Sequence, residues 1–206
     1  MKRFPAVPLA AVFLLVTAVG CGTGVREPAV DLAAVLSVTT DSLMEMDVET
    51  ARPGWSSGND TPVTEPDRAG TDRLLSGLAD VLERNYNAAV PALSGGAITV
   101  AAQDDASFVA LADTNANGVP DQGERALWKI EIDGENARVL ATDSAGAVEQ
   151  SGFSGTGLFA GYLLGSLLSR QRMSGVNTQA LGSKRTVSPA QAARARAGSG
   201  SFSRGK

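Results

Sequence analysis

The sequence predicts an α+β fold: a small domain of two helices and a short antiparallel β-meander, then a glycine-zipper helix and a disordered basic tail. Three observations carry this. Apolar residues recur at helical spacing over 32–46 and again over 74–82. Four short segments between 97 and 142 are rich in Val, Ile, Leu and Ala and are broken by Asp, Asn and Gly, the punctuation of strands and turns. From residue 151 onward the composition shifts to Gly, Ser, Ala and Arg. A length of 206 residues suits one domain plus tails, and 5% aromatic content with 23 glycines points to a small core with long irregular segments.

The first element is a targeting segment. Lys2 and Arg3 precede an apolar run over 4–19, and Ala18-Val19-Gly20-Cys21 follows. This tetrad resembles the lipobox of bacterial lipoproteins. The resemblance implies a signal peptide over 1–20, an acyl (palmitate) group on Cys21, and a cell-envelope protein held to a membrane by that lipid. Gly22 in place of Asp implies the outer membrane if the source is a diderm bacterium. An uncleaved anchor or an ordinary signal peptide is the alternative. Residues 21–30 then read as a tether.

In the domain, expected over 31–150, Asp31 can cap a helix whose stripe is Leu32, Val35, Leu36, Leu43 and Met46. Pro53, Gly54, Pro62, Pro66 and Gly70 make 51–70 a linker, which Trp55 can pin to the core. A second helix starts at a Thr71 or Asp72 cap, lines one face with Leu74, Leu75, Leu78, Val81 and Leu82, and cannot continue through Pro91. Strands are expected at 97–102, 107–112, 127–132 and 137–142. Asp104-Asp105 turns the first pair, and Asp133-Gly134-Glu135-Asn136 marks a hairpin for the last.

Residues 113–124 join the second and third strands and read Asp-Thr-Asn-Ala-Asn-Gly-Val-Pro-Asp-Gln-Gly-Glu. They meet the pattern D-x-[DN]-x-[DN]-G-x5-E at every required position. Calcium is a hard cation that takes six to eight oxygens. Asp113, Asn115 and Asn117 offer side-chain oxygens, Gly118 permits the reversal, and Val119 offers its carbonyl. Asp121 acts directly or through a water, and Glu124 closes the set. The stretch resembles an EF-hand loop over these twelve residues alone. Pro120 lacks the N–H that would pair with a second hand, so strand–calcium loop–strand replaces helix–loop–helix. Only three of the side chains are charged, which predicts a weak, extracellular-type affinity.

Gly157, Gly161 and Gly165 recur every four residues in an apolar run over 152–169, within a glycine-zipper helix expected over 151–169. On one helix they leave a smooth groove. At 1.5 Å per residue the run is about 27 Å long, just short of a bilayer. A membrane-inserted helix, a self-associating or docked helix, and a flexible loop all remain open. Residues 160–165 followed by a basic Ser/Gly-rich end resemble the C-terminal part of YgiB-like lipoproteins, which implies architecture and no activity. Residues 170–206 are expected to be disordered, with a turn of helix near 190–197.

Charge divides the chain. Residues 22–150 hold 22 acidic and 8 basic side chains, and 151–206 hold 8 basic and none acidic. The acidic part suits a divalent cation, the basic tail anionic lipid or another polyanion. Nucleic acid is not an expected partner. Cys21 is the one cysteine and there is no histidine, which removes disulfides within one chain, Ser-His-Asp and Cys-His catalysis and His-based zinc sites. Residues 200–206 fit a truncated P-loop and Ser203 with Lys206 fits S-x-x-K, but neither has the helix or pocket its chemistry needs. A metal-dependent hydrolase built on Asp104, Asp105 and Glu131 is the lesser alternative. The expectation is a structural or interaction protein and no enzyme.

Overall fold

The computed structural model describes residues 30–50, 68–153 and 162–198. Along the chain come α1 (Leu32–Thr50), α2 (Arg68–Ala88), β1 (Ile98–Ala102), β2 (Phe108–Ala112), β3 (Ala126–Asp133), β4 (Arg138–Asp143) and β5 (Val148–Gly152). Then follow α3 (Tyr162–Met173), α4 (Thr178–Ser183) and α5 (Pro189–Gly198). The five strands form one antiparallel sheet in the order β1-β2-β3-β4-β5. The α+β class and the meander are therefore as expected.

Strand alternation sorts the sheet into two faces. On one, Val100, Phe108, Ala110, Trp128, Ile130, Ile132, Val139 and Ala141 are buried. Their registers align Ala110 with Trp128 and Phe108 with Ile130. The apolar stripes of α1 and α2 close over this face and complete the core. The Tyr86 ring of α2 meets Trp128 edge-on, centroids 5.3 Å apart, and its hydroxyl pairs with Thr39 Oγ1 of α1 at 2.7 Å. Burial pushes the Tyr86 phenol up to about 12, with the Thr39 bond working the other way. At the start of α1, Asp31 Oδ1 accepts from Ala33 and Ala34 N–H at 3.1 Å, so the expected cap forms.

Both sheet edges are covered. Asn87 of α2 donates to Ile98 O at 2.7 Å and accepts from Ile98 N–H at 2.9 Å, in the manner of a neighbouring strand. Glu83 one turn earlier accepts from Val100 N–H at 3.0 Å. At the other edge, Val187 and Val148 exchange backbone bonds of 2.8 and 2.9 Å. Such edges otherwise template pairing with other chains.

Several expectations are corrected. The tail is not disordered over 170–198: α3 runs on to Met173, and α4 and α5 follow. Leu163 and Leu167 of α3 enter the core, while Leu164 and Leu168 pack over Gly134, where a Cβ would lie 2.7 Å from Leu168 Cδ2. Arg170 binds Asp72 at 3.0 Å and Asp104 at 2.7 Å, and Gln171 donates to Ile132 O at 2.8 Å. The segment around α4 crosses the polar sheet face. There Arg138 pairs with Asp133 and donates to the carbonyls of Leu181, Gly182 and Lys184, and Lys184 pairs with Glu131.

The expected domain end at residue 150 therefore falls inside β5, a strand missed because Val148 is its one β-branched residue. Within the basic part, residues 162–198 belong to the folded body, where Arg170 and Lys184 pair with carboxylates of the acidic part. Helix α2 begins by Arg68, so Thr71 and Asp72 lie within it and do not cap it. The expected glycine-zipper helix over 151–169 is also displaced: β5 extends to Gly152 and α3 covers Tyr162–Met173. Gly165 is exposed on α3 with nothing within 4 Å of a Cβ position, so among the described residues no helix approaches it closely. Gly157, Gly161, Cys21 and Trp55 lie outside the described residues. Among the described residues, no helix is long and apolar enough to cross a membrane.

Candidate metal centre

Loop 113–124 connects β2 to β3, the strands that meet in the middle of the meander. Its neck is closed by Ala112 N–H to Arg125 O at 2.9 Å and tied to the start of β1 by Asp113 N–H to Ala97 O at 3.0 Å. Above the neck the side-chain oxygens wind the backbone. Asp113 accepts from Asn117 N–H at 3.3 Å and from Gly118 N–H at 2.9 Å. Asn115 Oδ1 accepts from Asn117 N–H at 3.1 Å, and Asn117 Oδ1 from Val119 N–H at 2.8 Å. These are successive Asx turns, which polar side chains of this length form with the amide two residues on.

Gly118, at φ 68°, sits in the left-handed region at the point of reversal. Ala116 shares that region at φ 56°, a conformation a non-glycine residue holds only under constraint.

The two amide nitrogens converge on one carboxylate: Asn115 Nδ2 and Asn117 Nδ2 donate to Asp121 Oδ2 at 2.8 and 2.9 Å. Glu124 folds back so that Oε2 accepts from Asp121 N–H at 3.1 Å and from Thr99 Oγ1 of β1 at 3.3 Å. Its other oxygen, Oε1, is buried and has no hydrogen-bond partner. A carboxylate oxygen out of water with nothing to accept from costs on the order of 1–3 kcal/mol, more when it is charged. A cation beside Oε1 would relieve that cost.

Asp113, Asn115, Asn117, Asp121 and Glu124 therefore all belong to one hydrogen-bonded loop, with Val119 next after the reversal at Gly118. Among the described residues, no three acidic, cysteine or histidine side chains stand together as a ready metal cage. The loop's oxygens are of mixed type: three carboxylates with two amides and a carbonyl between them. All are hard donors suited to calcium and poorly suited to softer ions.

Two neighbours come from other elements. Thr99 orients Glu124. Glu83 stands on α2, where burial, and after it the charges of Asp80 and Asp113, hold its carboxyl above the usual range against the pull of Val100 N–H. No spacing rule finds either residue, because each reaches the loop through β1.

The carboxylates of the hydrolase alternative are engaged with basic side chains. Asp104 pairs with Arg170, Asp105 with Lys129 at 3.0 Å, and Glu131 with both Lys129 and Lys184. Burial opposes ionisation of Asp105, but the Ser107 hydroxyl, Lys129 and Ser107 N–H together hold its carboxyl below the usual range. Compared with protein-family models, curated proteins and solved structures, the chain matches none.

Proposed function

We propose that this is a lipid-anchored cell-envelope protein whose folded domain is stabilised by one calcium ion at loop 113–124, in a structural or interaction role. The observation that carries the calcium part is the buried, unsatisfied Oε1 of Glu124 at the closing position of a loop already wound by Asp113, Asn115 and Asn117. Those residues, with Asp121 and the Val119 carbonyl, would hold the ion. When bound it supplies two positive charges among three carboxylates.

A ligand that binds the folded state alone stabilises it by RT ln(1 + [L]/Kd). With a Kd of about 0.1–1 mM, typical of extracellular modules, calcium at a hundredfold excess adds about 2.7 kcal/mol. The melting temperature of the chain should rise by several degrees in calcium over chelator. Magnesium, which demands compact octahedral geometry, should give little of that rise. Identical melts in all three solutions would return 113–124 to a polar turn. Asn117→Ala should lose less than Glu124→Gln, since a water can take the place of one neutral ligand.

The anchor has its own test. The lipobox-like residues around Cys21 support it, and mass spectrometry of membrane-extracted protein should find an acyl adduct on Cys21. Cys21→Ala should lose that adduct, and an unmodified wild-type thiol would remove the lipoprotein reading.

A further inference from the structure

Asn117 is the one asparagine in the sequence that precedes a glycine. Asparagine is a chemically labile residue, because the backbone nitrogen of the next residue can attack its side-chain amide and close a small ring. A following side chain ordinarily obstructs that attack. Gly118 has none, and among the described residues nothing lies within 4 Å of where its Cβ would stand. Both residues are exposed, so water reaches them.

The loop also gathers the groups that such an attack needs. The nucleophile is Gly118 N, whose N–H donates to Asp113 Oδ2 at 2.9 Å, the distance a general base requires. The electrophile is Asn117 Cγ. Its oxygen Oδ1 accepts from Val119 N–H at 2.8 Å, a donor placed to meet developing negative charge. Asn117 Nδ2, the leaving nitrogen, donates to Asp121 Oδ2 at 2.9 Å. Asn115 makes the same kind of turn, with Oδ1 accepting from Asn117 N–H at 3.1 Å, but Ala116 follows it and supplies the obstructing Cβ.

We infer that Asn117 is a deamidation site and that calcium at this loop holds the reaction back. Gly118 N gives its proton to Asp113 and bonds to Asn117 Cγ. The Cγ–Nδ2 bond breaks, and Nδ2 leaves as ammonia, taking the proton back from Asp113. Water then opens the succinimide. Addition at Cγ gives aspartate at 117, and addition at the main-chain carbonyl gives isoaspartate, with the chain running through Cγ.

The calcium control rests on the reading above and deepens it by giving that site a regulation. As ligands of the ion, Asp113 no longer serves as a base and the Asn117 amide is fixed in place. The products alter the site in opposite directions. Aspartate at 117 adds one carboxylate to those of Asp113, Asp121 and Glu124, and affinity follows ligand charge, so this form should bind calcium more tightly. Isoaspartate lengthens the backbone at the reversal and should lose the site. A loop left without calcium is therefore changed irreversibly.

The test incubates the full chain at neutral pH in calcium or in chelator. Peptide mass spectrometry follows the amide-to-acid exchange at each asparagine, and enzymatic methylation counts isoaspartate. In chelator, Asn117 should convert while Asn115 and Asn136 stay intact. The empty fraction of loops is 1/(1 + [L]/Kd), so calcium at a hundredfold excess over Kd should slow conversion by about a hundredfold. Gly118→Ala and Asp113→Asn should each slow it in chelator, with near-ultraviolet dichroism of Trp128 reporting that the variants are folded. Asn117→Asp should bind calcium more tightly than wild type.

An Asn117 that stays intact in chelator, or converts no faster than Asn115, overturns the inference. Equal conversion in calcium and chelator, in a chain that binds calcium saturably, overturns the control and leaves the calcium site standing. Equal conversion with no saturable binding overturns the calcium site and its control together and leaves Asn117 as a deamidation site. Unchanged conversion in Asp113→Asn contradicts the role given to that carboxylate.

Discussion

Trp128→Ala should destabilise the domain by about 3–5 kcal/mol in a denaturant melt, the range for emptying a large aromatic site in a packed core. The side chain is 1% exposed on β3, the central strand, and faces both long helices. Its ring receives Tyr86 at 83° between planes, and such pairs add about 0.5–1.5 kcal/mol beyond burial. Tyr86 in turn is tied to Thr39, so the void would loosen α1 and α2 together.

A pH consequence follows from the same residue. The Tyr86 phenol is raised to about 12 by burial, so its neutral form is the one the fold favours. Its contribution to stability is complete below the unfolded value near 10 and is lost as pH climbs through about 12. In Trp128→Ala, water entering the site should bring the phenol back toward its ordinary value, which ultraviolet titration reads directly. A loss of under 1 kcal/mol with an unmoved Tyr86 would mean that the ring is not the keystone of the core.

Arg138→Ala should cost a similar amount, about 3–5 kcal/mol, for a different reason. Asp133 is 1% exposed and its charge is met by Arg138 Nε at 2.9 Å. Removing one partner of a buried pair leaves the other uncompensated. Asn136 still donates to Asp133 from its backbone and side-chain nitrogens, which keeps the loss toward the lower end. The second consequence is mechanical. Arg138 Nη1 and Nη2 hold the carbonyls of Leu181, Gly182 and Lys184, the chief tie of the α4 segment to the polar sheet face. Trypsin should then cut at Lys184 or Arg185 well before the domain melts. Unchanged stability together with unchanged proteolysis would contradict both parts.

These two sites also mark what the sequence made legible. Alternation in Leu127-Trp128-Lys129-Ile130-Glu131-Ile132 announces β3 because its two faces differ, and Asp31 announces the start of α1 because only a few side chains cap well. The segment carrying α4 and α5 was illegible for the complementary reason. Leu181 and Ala192 are the buried apolar residues of α4 and α5, too few to make a stripe, and the segment is held instead by Arg138, Lys184 and Arg170 reaching across long sequence separations. Composition reads such a stretch as disorder because it counts apolar surface and not charge-assisted bonds. In the candidate site, Asp113 through Glu124 were legible since the oxygens follow one another at fixed spacing. Thr99 and Glu83 were not, because they arrive through strand pairing and helix packing.

The most direct measurement of the central claim is an equilibrium calcium titration of the full chain beside its Glu124→Gln variant. The amide offers one oxygen where the carboxylate offers two, and it also removes the charge that the buried Oε1 carries. One saturable calcium per wild-type chain is expected, with a Kd of about 0.1–1 mM, and at least a tenfold weaker site in Glu124→Gln while the variant stays folded in chelator. No saturable binding, or equal affinity in the two chains, would contradict it.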